Sequence, residues 1–183
     1  MNGCCMITSC GCGRVETSTS FFKVKGLKGN VNPYIVGTQA NINNLSINLS
    51  VEYDFYSKLH SNYNGAFLMA CSPGQNPTLS KEKLTNLTIK SNAKFSSNFD
   101  ANVNLSNTVQ IYTIDSVEGS NSSMGSFFSN IPSYLQTNPT SPFQLKLRFN
   151  EAPTTDKIHI FTISYEESNG NIYTFTTPEI TFP

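Results

Sequence analysis

The feature of this chain that most constrains its fold is an alternation of apolar and polar residues between positions 45 and 56. One row of this alternation consists of Leu45, Ile47, Leu49, Val51, Tyr53 and Phe55. Successive side chains of a β-strand point to opposite faces of a sheet, so one row faces a core and the other faces water. The segment therefore predicts a long, half-buried strand.

The same period of two recurs later in the chain. Phe143–Phe149 alternates in this way and places Lys146 and Arg148 on the wet face. Three shorter runs are rich in β-branched or aromatic residues and are bounded by Gly, Pro, Asn and Ser: Ala66–Cys71, Leu84–Ser91 and Val109–Ile114. We expect a strand in each of these segments.

The C-terminal region predicts an antiparallel hairpin. Ile158–Tyr165 and Asn171–Thr177 are strand-like segments that flank a polar turn containing Asn169 and Gly170. Both turn residues tolerate positive φ, so we expect a tight primed turn at this pair.

One segment has helical spacing. Its apolar positions are Phe127, Phe128, Ile131, Tyr134 and Leu135. This spacing predicts one or two helical turns that begin near Pro132 and cover an open end of the strands. An irregular loop with buried aromatic side chains is the alternative.

These elements predict an all-β fold: an antiparallel β-sandwich, immunoglobulin-like, with one short helix in a long connection. An up-and-down barrel is the alternative. The chain has 183 residues, with 12 basic and 12 acidic side chains and a formal net charge of 0. Such a balance produces no global field that attracts nucleic acid, so we expect no nucleic-acid partner.

The first residues predict where in the cell the protein is located. Met6-Ile7-Thr8-Ser9-Cys10 has the pattern that bacterial lipoprotein signal peptidase cuts before its cysteine. A secretory signal also needs a basic start and an apolar core, which residues 1–9 lack, so we expect the start codon to lie upstream. We interpret residues 1–20 as a signal remnant and linker, 21–183 as one domain, and Cys10 as the lipidated residue.

Cysteines offer a rival interpretation of this terminus. Cys4, Cys5, Cys10 and Cys12 could in principle bind zinc. Zinc ribbons present two separated cysteine pairs, whereas here the first two are adjacent and the next two are separated by one residue. We therefore expect no metal and no cofactor, and we interpret Cys71 as a small buried hydrophobic residue.

The sequence offers few catalytic candidates. We expect His159 to be a strand or loop residue facing water, and neither it nor His60 has a neighbouring nucleophile. Two acidic pairs, Glu166 with Glu167 and Glu151 with Asp156, could act as acid and base or bind calcium, but each lies in a turn where charges are ordinarily solvated. We predict that the protein is not an enzyme.

Four stretches of the chain form a further pattern: Leu79–Ile89 with Ser91, Asn92 and Phe95, then Asn150–Thr155, Ile160–Tyr165 and Thr176–Ile180. In these stretches the chain resembles a family of Bacteroidetes envelope lipoproteins of unknown function. It implies an exported β-sandwich that is lipidated at Cys10 and located in the cell envelope, in the periplasm or at the outer membrane. It supplies no catalytic residues.

Two functions follow as hypotheses. The first is a lipid-anchored binding or structural module, held to the membrane through its N-terminus, that presents loops at the ends of a rigid sandwich to a protein or glycan. The alternative is a carbohydrate-active or hydrolytic accessory domain of a glycan-uptake system, in which Tyr56, Tyr63 and Tyr112 stack on sugar rings.

Overall fold

The computed structural model describes residues 20–33, 36–57, 79–114 and 125–183. Strands in these ranges are β1 (Ser20–Asn32), β2 (Ser46–Ser57), β3 (Leu79–Ser80), β4 (Leu84–Ser91), β5 (Val109–Ile114), β6 (Phe127–Phe128), β7 (Gln144–Phe149), β8 (Ile158–His159), β9 (Phe161–Glu167), β10 (Ile172–Thr176) and β11 (Ile180–Thr181). The helix α1 spans Ile131–Leu135, and a 3-10 turn spans Ser106–Thr108.

These strands form three sheets. A six-stranded sheet has the order β3-β1-β2-β7-β5-β6, a three-stranded sheet the order β10-β9-β4, and β11 pairs with β8. Paired strands run antiparallel except for the two-residue contact of β1 with β3. The prediction of an all-β antiparallel fold is therefore confirmed, while its immunoglobulin-like type stays a prediction.

Strand β2 lies in the middle of the large sheet, as its alternation predicts. Leu45, Ile47, Leu49 and Val51 are buried, whereas Asn48 between them is partly exposed. β2 pairs on both sides, with β1 and with β7, so it is a central strand of the sheet.

Strand β1 was not predicted, and its irregular pattern explains why. Phe22 and Val24 are buried, but the register with β2 shifts between Val24 and Gly26. This β-bulge inserts one residue, so a simple period of two fails across it. Beyond the bulge Gly29 faces the other sheet, where a Cβ atom would lie 2.7 Å from the Phe175 ring. Glycine therefore permits close approach of the two sheets.

The two larger sheets pack against each other through a shared apolar core. Phe161 and Ile163 of β9 are fully buried in one cluster with Leu49 and Leu147 of the large sheet. At the rim the Tyr173 hydroxyl donates to the backbone oxygen of Val24 at 2.9 Å. This arrangement is that of a sandwich, with the outer face of each sheet turned away from the core.

Helix α1 is confirmed as one short helix. Asn130 is its N-cap and accepts a hydrogen bond from Ser133 N at 2.8 Å, with Pro132 in the first turn. It contacts β4 of one sheet and β5 of the other. Phe127 and Phe128 do not extend the helix but form β6, so the helical interpretation of those two residues is wrong.

The C-terminal hairpin is present with two corrections. Ile158 and His159 belong to the separate strand β8, so the first hairpin strand begins at Phe161. Gly170 has φ +83°, and Asn169 is not among the residues with positive φ. The Gly170 N–H binds the Glu167 carbonyl at 2.9 Å, which is the geometry of a turn closed by a bulge rather than a primed turn.

One predicted strand, Ala66–Cys71, lies outside the described residues, as do residues 1–19 with Cys10. Within the described ranges no helix is long and apolar enough to cross a membrane.

Candidate functional site

Several predicted site residues lie outside the described part of the chain. These are Cys10, His60, Tyr63 and the remaining cysteines. The side chain of Tyr56 is also outside the description, although its backbone pairs with Phe21. His159, the acidic pairs and Tyr112 can therefore be assessed, and Cys10 stays a predicted lipidation site.

His159 is fully buried, so the expectation that it faces water is wrong. Its Nδ1 lies 2.7 Å from Ser91 Oγ, and its Nε2 lies 2.9 Å from the Asp156 carbonyl oxygen. The rings of Phe95, Phe161 and Phe182 surround the imidazole. The fold therefore does bring a serine next to this histidine, which the sequence did not suggest.

The hydrogen bonds of His159 fix its neutral tautomer. A carbonyl oxygen can only accept, so Nε2 carries the proton and Nδ1 accepts the hydroxyl proton of Ser91. Burial lowers the pKa of His159, and the Asp156 carbonyl only partly opposes this effect. Ser91 is 2% exposed and His159 is fully buried, so neither side chain is accessible from the surface. Their hydrogen bond instead connects β4 to β8.

Glu167 occupies the opposite end of β9 and is also buried, with 1% of its surface exposed. Ser141 Oγ donates to its Oε1 at 2.7 Å, and Asn169 Nδ2 donates to Oε2 at 3.4 Å. The expectation of a solvated turn charge is therefore wrong for this residue. Burial raises the pKa of Glu167, an effect that these two hydrogen bonds partly offset.

Next to this carboxyl group lies the buried hydroxyl of Tyr165. None of the described residues forms a hydrogen bond with it, although Ser141 is near enough to lower its pKa somewhat. Burial dominates and raises the pKa of Tyr165 well above its usual value. Burial also raises the pKa of Tyr173. At this end of the core, burial thus raises the pKa values of two phenols and of one carboxyl group.

The second acidic pair is not assembled into a site. Asp156 Oδ2 accepts the Lys94 backbone N–H at 2.7 Å, while Glu151 is exposed. The Lys94 ammonium binds Asp100 at 2.8 Å, and this bond raises the pKa of Lys94. Among the described residues no group of three or more His, Cys, Asp or Glu side chains is placed to hold a metal ion.

The outer face of the six-stranded sheet presents the most developed set of exposed groups. A single cross-strand row, defined by pairing register, contains Phe127, Tyr112, Lys146, Asn48 and Asn30. Directly paired residues project to the same face, so these five side chains form one line. With about 4.8 Å between strands, the line is about 19 Å long. We call it the outer row.

An aromatic pair begins the outer row. The rings of Tyr112 and Phe127 have centroids 5.0 Å apart and are tilted by 47°, and Phe127 is 53% exposed. At the other end Asn48 Nδ2 donates to Asn30 Oδ1 at 3.0 Å. The row therefore combines an apolar platform with a fixed pair of amide groups.

Charge is unevenly distributed on this face. Lys28 and Lys25 of β1 form ion pairs with Glu52 and Asp54 of β2. Lys146 and its neighbour on the same face of β7, Arg148, form no ion pair with any carboxylate in the described ranges. The Arg148 guanidinium instead donates to the Asn43 carbonyl at 2.8 Å. Within the described residues their positive charge thus has no carboxylate partner beside the aromatic pair.

The sequence pattern predicted only part of the outer row. Alternation placed Lys146 on the face turned to water, and Tyr112 was a candidate for stacking on sugar rings, but Phe127 was interpreted as part of a segment with helical spacing. Only strand pairing shows that β6 brings Phe127 next to Tyr112.

A concave feature lies near the C-terminal strand. It is an open depression of about 360 Å³ lined by Gln39, Ala40, Asn41, Ile42, Ala152, Phe182 and Pro183. None of these seven side chains is ionisable.

Comparison with known proteins adds no family to this picture. No protein-family model, no curated protein and no solved structure matches the chain.

Proposed function

We propose that this protein is a non-catalytic binding module of the cell envelope, anchored through a lipid on Cys10, and that it binds its ligand with the outer face of the six-stranded sheet. The observation that carries the proposal is a contrast in accessibility. The groups best suited to acid–base chemistry, His159 and Glu167, are buried and hydrogen-bonded, whereas the outer row is exposed at its two ends and partly exposed between them.

A rigid sheet is a suitable base for such a surface. The outer row is carried by five strands whose other face is packed in the core, so its side chains are held at fixed spacings. Binding then costs little ordering of the protein. Aromatic side chains and arginine are also among the residue types enriched in interaction surfaces.

The test of this function compares binding with turnover. The purified chain is screened against a panel of glycans and envelope proteins, by calorimetry for binding and by product analysis for hydrolysis. Saturable binding without product formation supports the proposal. Sustained hydrolysis of any panel member overturns it and favours the second candidate, a carbohydrate-active accessory domain.

A specific observation supports that second candidate. The Tyr112–Phe127 pair offers the kind of apolar surface on which sugar rings stack. Such a domain needs an exposed acid or base near the pair, so hydrolysis that survives replacement of every exposed carboxylate on this face argues against it.

The anchor is tested separately from the ligand. Mass spectrometry of the protein from its native membranes should find a diacylated cysteine at position 10 as the N-terminus, because lipoprotein processing leaves that residue first. An N-terminus that retains residues 1–9 without lipid overturns the anchoring proposal and leaves the binding surface unaffected.

A further inference from the structure

We propose that the outer row binds an anionic polysaccharide, with Tyr112 and Phe127 as the platform for sugar rings and Lys146 and Arg148 as partners of its carboxylate or sulfate groups. This inference rests on the proposed function as a binding module and specifies the chemical class of its ligand. Four properties of the described residues carry it.

The first property is the aromatic platform. Phe127 is 53% exposed on the outer face, whereas its neighbour Phe128 projects to the opposite face and packs against Tyr134 with ring centroids 5.0 Å apart. The exposed Phe127 ring beside Tyr112 is therefore available to contact a ligand. The C–H faces of sugar rings are the apolar surfaces that suit such a platform.

The second property is positive charge beside that platform that has no carboxylate partner among the described residues. The register places Lys146 directly opposite Tyr112, and Arg148 opposite Gln110. On β1, by contrast, Lys28 and Lys25 have carboxylate partners on β2. A ligand with anionic groups can therefore form ion pairs with Lys146 and Arg148 of β7, whereas a neutral glycan cannot.

The third property is the series of amides and hydroxyls in line with the cations. Asn48 and Asn30 lie further along the outer row, and Gln144 and Ser50 pair in the adjacent one. Amides both donate and accept hydrogen bonds, which matches the hydroxyl groups of sugars. An acidic polypeptide or a nucleic acid has no comparable density of hydroxyl groups.

The fourth property is the balance of charge over the whole chain. The formal net charge is 0, so attraction of a polyanion depends on local charge rather than on a general basic field. Nucleic-acid binders normally carry a basic surplus. An anionic polysaccharide with spaced charges is the better match to two local cations.

The experiment measures affinity of the full chain for five probes. Polygalacturonate carries carboxylates, heparin carries sulfates, dextran is neutral, poly-L-glutamate is an acidic polypeptide and oligo-dT is a single-stranded nucleic acid. We expect saturable binding of polygalacturonate or heparin, which identifies the anion, and no saturable binding of dextran. Affinity should fall about tenfold between about 20 mM and about 200 mM salt.

Two variants test the residues. Lys146→Gln with Arg148→Gln should lower affinity for the charged glycan about tenfold or more, whereas Lys90→Gln with Lys157→Gln removes the same charge elsewhere and should change it less than about twofold. Phe127→Ala should lower affinity about threefold to tenfold, while Ile172→Ala, at another exposed apolar position, should leave it unchanged. Thermal unfolding confirms that each variant keeps its fold.

Several results overturn the inference. Equal loss in the two double variants shows a general charge effect, and dextran binding as tight as polygalacturonate binding removes the role of charge. Poly-L-glutamate or oligo-dT that binds as tightly, and with the same dependence on Lys146 and Arg148, identifies another class of ligand. If the charged glycans fail but another panel member binds saturably, this inference falls while the binding function stands; if nothing binds, both fall.

Discussion

The segment from residue 159 to residue 167 buries a titratable side chain at each end, and the two ends satisfy these groups differently. His159 has a partner for each ring nitrogen, Ser91 and the Asp156 carbonyl. Glu167 has one short hydrogen bond, from Ser141, and one long bond, from Asn169, beside the unpaired hydroxyl of Tyr165. The histidine end is fully satisfied in its neutral form, whereas the glutamate end is not fully satisfied when ionised.

This difference teaches how a core can include groups that look catalytic. A neutral imidazole with two partners costs little to bury, because it replaces two hydrogen bonds to water with two internal ones. An ionised carboxylate loses more solvation than two hydrogen bonds return. We therefore expect the histidine end to stabilise the fold at neutral pH and the glutamate end to weaken it.

The largest expected effect is at the histidine end. His159→Ala should lower the free energy of unfolding by about 3–5 kcal/mol, because it leaves a cavity among three aromatic rings and removes the acceptor of the Ser91 hydroxyl. The matched control is Ile158→Ala in the same strand, which is 48% exposed and should cost within about 1 kcal/mol. Urea unfolding measures both free energies, and equal losses would contradict the stabilising role of the buried, hydrogen-bonded His159.

The next effect compares the two serines. Ser141→Ala should cost about 1.5–3 kcal/mol at pH 8, because it removes the short hydrogen bond to a buried charge. Ser91→Ala should cost about 1–3 kcal/mol, because it leaves the neutral Nδ1 of His159 without a donor. Only the loss of unfolding free energy caused by Ser141→Ala should become smaller as the pH falls through the raised pKa of Glu167. If the losses at both serines change equally with pH over that range, the charge of Glu167 does not distinguish the two ends.

A third prediction concerns the turn that places Asn169 beside Glu167. Gly170→Val should destabilise the domain by about 1–3 kcal/mol, because a β-branched residue is strained at positive φ. No heavy atom lies within 4 Å of the added Cβ, so crowding does not contribute. Gly170→Asn is the control and should cost less, since Asn adopts this region more readily. Thermal unfolding of the two variants decides, and an equal loss would show that φ is not the cause.

The smallest expected effect concerns Glu167 itself and has the opposite sign. A folded pKa raised above 4.5 means that stability is fully present below pH 4.5 and is lost as pH rises through the folded pKa. For His159, with a folded pKa below 6.5, stability is present above pH 6.5 and is lost as pH falls. Glu167→Gln should thus be at least as stable as wild type at pH 8 and should remove the loss on raising the pH.

The control for this prediction is Glu166→Gln, at the partly exposed neighbouring position. It should leave the pH dependence of unfolding unchanged. If Glu167→Gln is less stable than wild type at pH 8, then the ionised carboxylate stabilises this end and the comparison fails there.

The sequence by itself determined the all-β class and most of the strands. β2 and β7 lie where period-two alternation predicts them, because the residue order of a half-buried strand reflects its two faces. β4 and β5 lie where runs of β-branched and aromatic residues between turn residues predict them. Pro132 likewise marks the start of α1, since its fixed φ is a local property.

The tertiary structure decided the rest, because it depends on which distant residues meet. The bulge in β1 interrupts the alternation, so the residue pattern did not predict this long strand. The break after His159 places Ile158–His159 in another sheet, paired with β11. Burial of His159 and Glu167 follows from the partners Ser91 and Ser141, which lie 68 and 26 residues away in the chain. The outer row exists only through the register of five strands, and register joins side chains that no local pattern connects.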